Sequence, residues 1–257
     1  MLAIFRKTLA HPPEELHSPV HGASDKASKH PHEILHDFLS SHSSTAFSAS
    51  FVRGAAMAFA GAGAGAPCSF LHQRLFCSVD DVYCVFVGRL DNLSSLIRQY
   101  GLCGKSSDEA ILVIEAYRTL RDRGPYPADQ VLKDLAGDFA FVIYDNRTGS
   151  VFVALSADAQ ISLYWGIASD DSVVISDDLE VIKRGCGKSF APFPAGCMFH
   201  SEGGLKSFER PMNKMKAVPR VDSEGAMCGA VFKVDSCGKI TSMPRVGSAA
   251  NWSSWEQ

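Results

Sequence analysis

The residues most suggestive of chemistry lie in "HEILHDFLSSH", which sets His32, Glu33 and His36 in the pattern H-E-x-x-H. On a helix, residues four apart share a face. Two imidazoles could then hold one zinc ion with the glutamate beside its water, as in a zinc hydrolase. His42 falls at the spacing of a third ligand. That extended pattern also needs a glycine midway to turn the chain toward the metal, and the position is Leu39. If the helix simply continues at about 100° per residue, His42 points off the His32/His36 face. Ile34, Phe38 and Leu39 form an apolar stripe, so the same residues also describe an ordinary amphipathic surface helix. The expectation here is no metal and no cofactor, with zinc hydrolysis at His32, Glu33 and His36 as the alternative.

Cys68, His72, Cys77 and Cys84 make a second conceivable zinc set, but their spacing matches no common structural site. Cys84 also falls inside an expected strand, where a thiol packs as a small apolar group. The eight cysteines are scattered singly, without a CxxC, and read as reduced and mostly buried thiols; thiol chemistry at one of them, such as Cys68, stays open.

Elements must position these groups. "MLAIF" stops at Arg6-Lys7, short of the roughly 7–15 apolar residues of a secretory signal. No stretch approaches the roughly 18 consecutive apolar residues of a membrane span. "MLAIF" is therefore read as a buried first strand, and a cytoplasmic or nuclear location is expected. A net charge of -3 carries no polyanion-binding footprint, so nucleic acid is not an expected partner.

Residues 6–50 read as a variable His/Ser-rich surface insertion with one helix, since seven of the nine histidines lie between His11 and His42. "SASFVRGAAMAFAGAGAGAP" reads as one strand running into a small-residue loop, and "VYCVFVGRL" as a buried strand. "DNLSSLIRQYGL" predicts a short helix closed at Gly101. In "SSDEAILVIEAYRTLRDRG", Ser106 and Glu109 predict a capping box, and Ile111, Ile114 and Leu120 a core-facing stripe. "DFAFVIYD", "SVFVALS", "ISLYWGIA" and "VVIS", separated by turn residues, predict an antiparallel meander, with two weaker strand pairs after "FPAGCMF". Helices preceding a run of strands imply a layered α+β domain. One domain over residues 1–245 with a polar tail, 246–257, is expected.

With those elements placed, "DLAGDFAFVIYD" resembles the core strand of the glutaminase domain of asparagine synthetases and other class II glutamine amidotransferases. "HQRL", "VGRLDN", "SSDE", "ISLYWG" and "FPAGCMF" follow the same order. "QYGL" at Gln99 to Leu102, "LRDR" at Leu120 to Arg123 and "PPEEL" at Pro12 to Leu16 resemble the plant aluminium-induced proteins with YGL and LRDR motifs, the stem-specific protein type. The resemblance implies an N-terminal-nucleophile hydrolase fold, a four-layer αββα sandwich of two mostly antiparallel sheets. In amidotransferases of this type a cysteine at the chain start attacks the glutamine amide, its own amine acts as base, and an asparagine and a glycine form the oxyanion hole.

Carried over, Arg74 matches the arginine that binds the amino acid's carboxylate, Asp108 the aspartate that binds its ammonium, and Gly88 the oxyanion glycine. Arg74 and Asp108 read equally well as a surface arginine and a helix-start carboxylate. The departures concern catalysis. The nucleophile position is Leu2, which has no nucleophilic atom and is large enough to block removal of Met1; Val87 stands for the oxyanion asparagine, and Arg89 for a glutamate. The expectation is a non-catalytic module, a pseudoenzyme in plant stress or aluminium response. Its expected partners are a second copy of itself, another protein, or an amino-acid-like ligand in the relic pocket of Arg74, Val87, Gly88 and Asp108. A hydrolase with relocated chemistry is the alternative.

Overall fold

The computed structural model describes residues 1–18, 28–42, 46–61, 73–102, 108–122, 128–158, 160–221 and 227–239. In chain order the first half holds β1 (Leu2–Phe5), a 3-10 turn (Glu14–Leu16), α1 (Pro31–Ser41), β2 (Ala46–Ser50), β3 (Ala55–Ala60), β4 (Gln73–Val79), β5 (Val82–Leu90), α2 (Leu93–Gln99), α3 (Glu109–Asp122) and α4 (Ala128–Asp134). Then follow β6 (Gly137–Asp145), β7 (Ser150–Leu155), β8 (Tyr164–Ile167), β9 (Val173–Ser176), α5 (Leu179–Cys186), β10 (Phe190–Pro192), β11 (Cys197–His200), β12 (Gly204–Ser207), β13 (Asn213–Val221) and β14 (Met227–Lys239).

Because side chains alternate along a strand, the continuous apolar run of "MLAIF" serves two cores at once. Ala3 and Phe5 face one layer, Leu2 and Ile4 another. β1 accordingly lies inside a six-stranded sheet, in the order β10-β8-β9-β1-β3-β2. A second six-stranded sheet has the order β12-β11-β7-β6-β5-β4, and β13 and β14 form a separate ribbon. Every pairing in the three sheets is antiparallel.

Four layers result. Between the two sheets lie Met1, Phe5, Met57, Val87, Tyr144, Trp165 and Phe199, joined by Phe232 of the ribbon. Outside the first sheet, Ile34 and Phe38 of α1 meet Ile182 and Cys186 of α5 over Leu2 and Ile4. Outside the second sheet, α3 packs on β4 and β5 and buries Cys84, Phe86 and Phe141. This is the α+β sandwich that the sequence led us to expect.

Several details differ from the sequence reading. The expected single meander is divided, because β6 and β7 pair in the second sheet and β8 and β9 in the first, so the chain crosses between sheets after β7. Residues 46–60 form a hairpin rather than one strand, with Gly54 at φ +85° in the bend; a β-carbon there would lie 2.4 Å from the Arg6 side chain. The His/Ser-rich segment is more than surface, since Ile34 and Phe38 are each only 2% exposed and Leu16 is fully buried. α3 starts at Glu109, and Asp108 caps it by accepting the Ile111 N–H at 2.9 Å. Ser106 lies outside the described residues. The buried face of α3 is broader than the expected stripe. Leu112, Val113, Ala116 and Tyr117 join Ile114, while Ile111 and Leu120 are half-buried, because α2 and α4 flank the helix as well. Among the described residues no helix is long and apolar enough to cross a membrane.

Candidate functional site at the start of the first strand

The register of β1 with β9 sets Leu2 opposite Ser176, which brings the next residue, Asp177, to the amino terminus. The Met1 ammonium donates to Asp177 Oδ1, and Arg74 donates to Asp177 Oδ2 at 2.7 Å. The Met1 carbonyl accepts the Ser176 hydroxyl at 2.8 Å. One carboxylate, 6% exposed, therefore binds both the chain's own amine and the arginine that the resemblance assigns to a ligand carboxylate. Burial pushes the amine pKa below its ordinary value, against the pull of Asp177.

Leu2 is 1% exposed and packs in the helix layer with Ile4, Ile34 and Phe38. Val87 belongs to the layer between the sheets, and the side chain at the chain start that shares this layer is Met1. Val87 is the cross-strand partner of Arg74, so their side chains leave the sheet on the same face. The next residue, Gly88, has φ +118°, and a β-carbon there would lie 2.1 Å from the Asp138 carbonyl, so glycine is required on backbone grounds alone. Asp108 belongs to the helix layer on the other side, where its charge acts on Cys77 and Cys84. Arg89 is exposed and donates to Asp91 at 2.7 Å. The structure thus brings Arg74 to Met1 through Asp177, with Val87 opposite Arg74 on β5 and Gly88 next in the chain against Asp138 and Ile161, while Asp108 caps α3.

Asp177 is the participant that reading the sequence missed. Its signal was the acidic pair following "VVIS", interpretable only once β9 is placed antiparallel to β1.

In the H-E-x-x-H segment, Glu33 accepts the His30 backbone N–H at 2.8 Å and closes the first turn of α1. His42 ends the helix with Nδ1 at 3.0 Å from the Phe38 carbonyl. Cys77 and Cys84 are cross-strand partners and free thiols, and burial raises both pKa values. Cys68 and His72 lie outside the described residues.

The profile of the aluminium-induced proteins matches residues 2–234. The chain belongs to the aluminium-induced protein family. It is 39% identical over 154 residues to a stem-specific protein of Nicotiana tabacum, a match covering 60% of this chain and 99% of that protein. It is also 38% identical over 82 residues to a probable glutamine-hydrolysing asparagine synthetase of Dictyostelium discoideum, covering 32% of this chain and 14% of the synthetase. Among solved structures it is similar to a glutamine phosphoribosylpyrophosphate amidotransferase from B. subtilis. That match has 20% identity, covers 63% of this chain and 36% of that one, and has a TM-score of 0.44.

The two short stretches "QYGL" and "LRDR" occupy structural positions. In "QYGL", Gly101 turns at φ +68° after α2, and Tyr100 and Leu102 pack on the helix-side core. In "LRDR", Arg121 donates to the fully buried Asp145 at 3.0 Å, and Tyr117 donates to the same oxygen at 3.3 Å. Burial pushes the Asp145 carboxyl upward, but Arg121 and the backbone N–H groups of Thr148 and Arg147 together hold it below its ordinary value.

Proposed function

We propose that this protein is a non-catalytic relative of the amidotransferase glutaminase domains. It acts as a binding module in a plant stress or aluminium response, in the cytoplasm or nucleus, with a second copy or another protein as partner. The observation that carries this reading is the self-engagement of the chain start. Residue 2 offers an isobutyl group packed under α1, and the Met1 amine and Arg74 are both held by Asp177. A Val87 methyl offers no donor to a developing oxyanion, and losing one such donor can cost about 10²–10³ in rate. Without a nucleophile at residue 2 the covalent route is closed there.

The relic site keeps a use as a receptor for an amino-acid-like ligand. The ligand's carboxylate would have to displace Asp177 from Arg74, so this ligand and the internal carboxylate compete for one guanidinium. Zinc hydrolysis is the weaker reading, because Glu33 is engaged in capping α1. The test combines ammonia release with thermal melting in glutamine, on the wild type and on Asp177→Asn. The expected result is no ammonia from either, with glutamine stabilising the variant more than the wild type. Ammonia release by the wild type would overturn the non-catalytic reading, and equal or absent stabilisation of the two would overturn the receptor reading.

A further inference from the structure

α3 covers β4 and β5, and the outer face of β7, β11 and β12 forms the floor of a cavity of about 620 Å³ beside it. None of Arg74, Val87, Gly88 and Asp108 lines this space. The register explains its shape. Phe152, His200 and Gly204 stand side by side on three strands, with Met198 and Lys206 in the adjoining row. At Gly204 an added β-carbon would meet nothing within 4 Å, so the floor stays low there.

The floor is aromatic. Tyr117 stacks on Phe152 with ring centroids 6.0 Å apart, and the His200 ring lies 5.8 Å from Phe152. Phe152 is 2% exposed and Met198 8%, so these apolar groups are sunk beneath the opening. The polar groups at the rim differ in how they are engaged. Arg121 is tied to Asp122 and Asp145, and Asp129 faces Lys133 at 3.7 Å. Lys206 and Glu202 form no ion pair among the described residues. His200 accepts the Glu202 backbone N–H on Nδ1 at 3.2 Å, which leaves the ring proton on Nε2. Burial lowers the His200 pKa against the charge of Glu202, with the smaller effect of Lys206 acting in the same direction as burial.

We propose that this cavity is a small-molecule site for an aromatic carboxylate, with its ring against the half-buried Leu120, Ala128 and Pro211 above the sunken Phe152 and its carboxylate held by Lys206 and the His200 N–H. The size falls within the roughly 300–1,000 Å³ of small-molecule sites, and an apolar floor with a few converging donors is their usual composition. An anion beside Lys206 and His200 meets one full charge and one N–H donor. The opposing carboxylate, Glu202, is exposed at the tip of the β11–β12 turn.

Calorimetric titration of the full chain with 2-naphthoate tests this, using Lys206→Gln and Gly203→Leu as variants. Gly203 lines the cavity, and a β-carbon there meets His200 and Lys206 at an ordinary 3.7 Å, so leucine fills the opening without backbone strain. The expected result is one saturable site, weakened about tenfold by Lys206→Gln and lost in Gly203→Leu, with melting of both free variants unchanged. Lack of saturation at millimolar 2-naphthoate, affinity unaltered by both substitutions, or tighter binding of 2-naphthylmethylammonium would each overturn the proposal.

Discussion

The start of β1 and the outer face of the second sheet are built in opposite ways. At the first, charged groups satisfy one another: Asp177 binds the Met1 amine and Arg74, while Leu2 and Val87 fill apolar layers. At the second, Arg121 and Asp145 are locked together, but Lys206 and the His200 ring face an open cavity. The charged groups at the start of β1 are thus occupied by one another, whereas Lys206 and the His200 ring lie on strands that carry none of Arg74, Val87, Gly88 and Asp108.

The largest expected effect separates the two regions by stability. Arg121→Ala leaves the Asp145 carboxylate buried without its cation, and a loss of about 3–5 kcal/mol is expected in denaturant unfolding. Combining it with Asp145→Asn should recover part of that loss, because the uncompensated charge is then removed. A loss below about 1 kcal/mol would mean that Arg121 is not structural and belongs to the cavity's ligand chemistry instead.

An intermediate effect is expected on pH. Burial lowers the Met1 amine from its ordinary 8.0. Below 8.0 the unfolded chain therefore binds a proton before the folded chain does. The stabilisation is complete above 8.0 and is lost as pH falls toward the folded value. His200, lowered by burial from its ordinary 6.5, adds a loss of the same sign at lower pH. Asp177→Asn removes the group that raises the amine pKa, so the decline should steepen in denaturant midpoints measured from pH 9 to 6. Midpoints that rise as pH falls through this interval would contradict the buried-amine description.

The smallest effect concerns the histidine motif. His36 is exposed and Glu33 is engaged with His30, so His36→Ala should change stability by less than about 0.5 kcal/mol and leave zinc content unchanged. Stoichiometric zinc lost on that replacement would place a metal site on α1.

Legibility followed the range of each interaction. The first strand, the β6–β7 and β8–β9 hairpins, α2 and α3 were readable because periodicity and turn residues act within a few positions, whereas the division of those hairpins between two sheets in place of one meander was not. The β2–β3 hairpin was not, because its bend, Phe51 to Gly54, carries a single glycine among residues common in strands. The apolar character of Leu2 and Val87 was visible in the sequence, yet their separation into different layers depends on strand pairing. Asp177 lies 176 positions from Met1, and the cavity joins α3 to β11 and β12, so neither follows from any local pattern.

The central claim is that the chain start is a packed strand end without glutaminase chemistry. Ammonia release from glutamine by the wild type, Leu2→Cys and Leu2→Cys/Val87→Asn tests it most directly. A thiol at position 2 would enter the layer of Ile34 and Phe38, away from position 87, and would leave a cavity there. All three proteins are therefore expected at the buffer background. Turnover by the wild type would contradict the account, and turnover by the double variant alone would show that residues 2 and 87 still meet in one site.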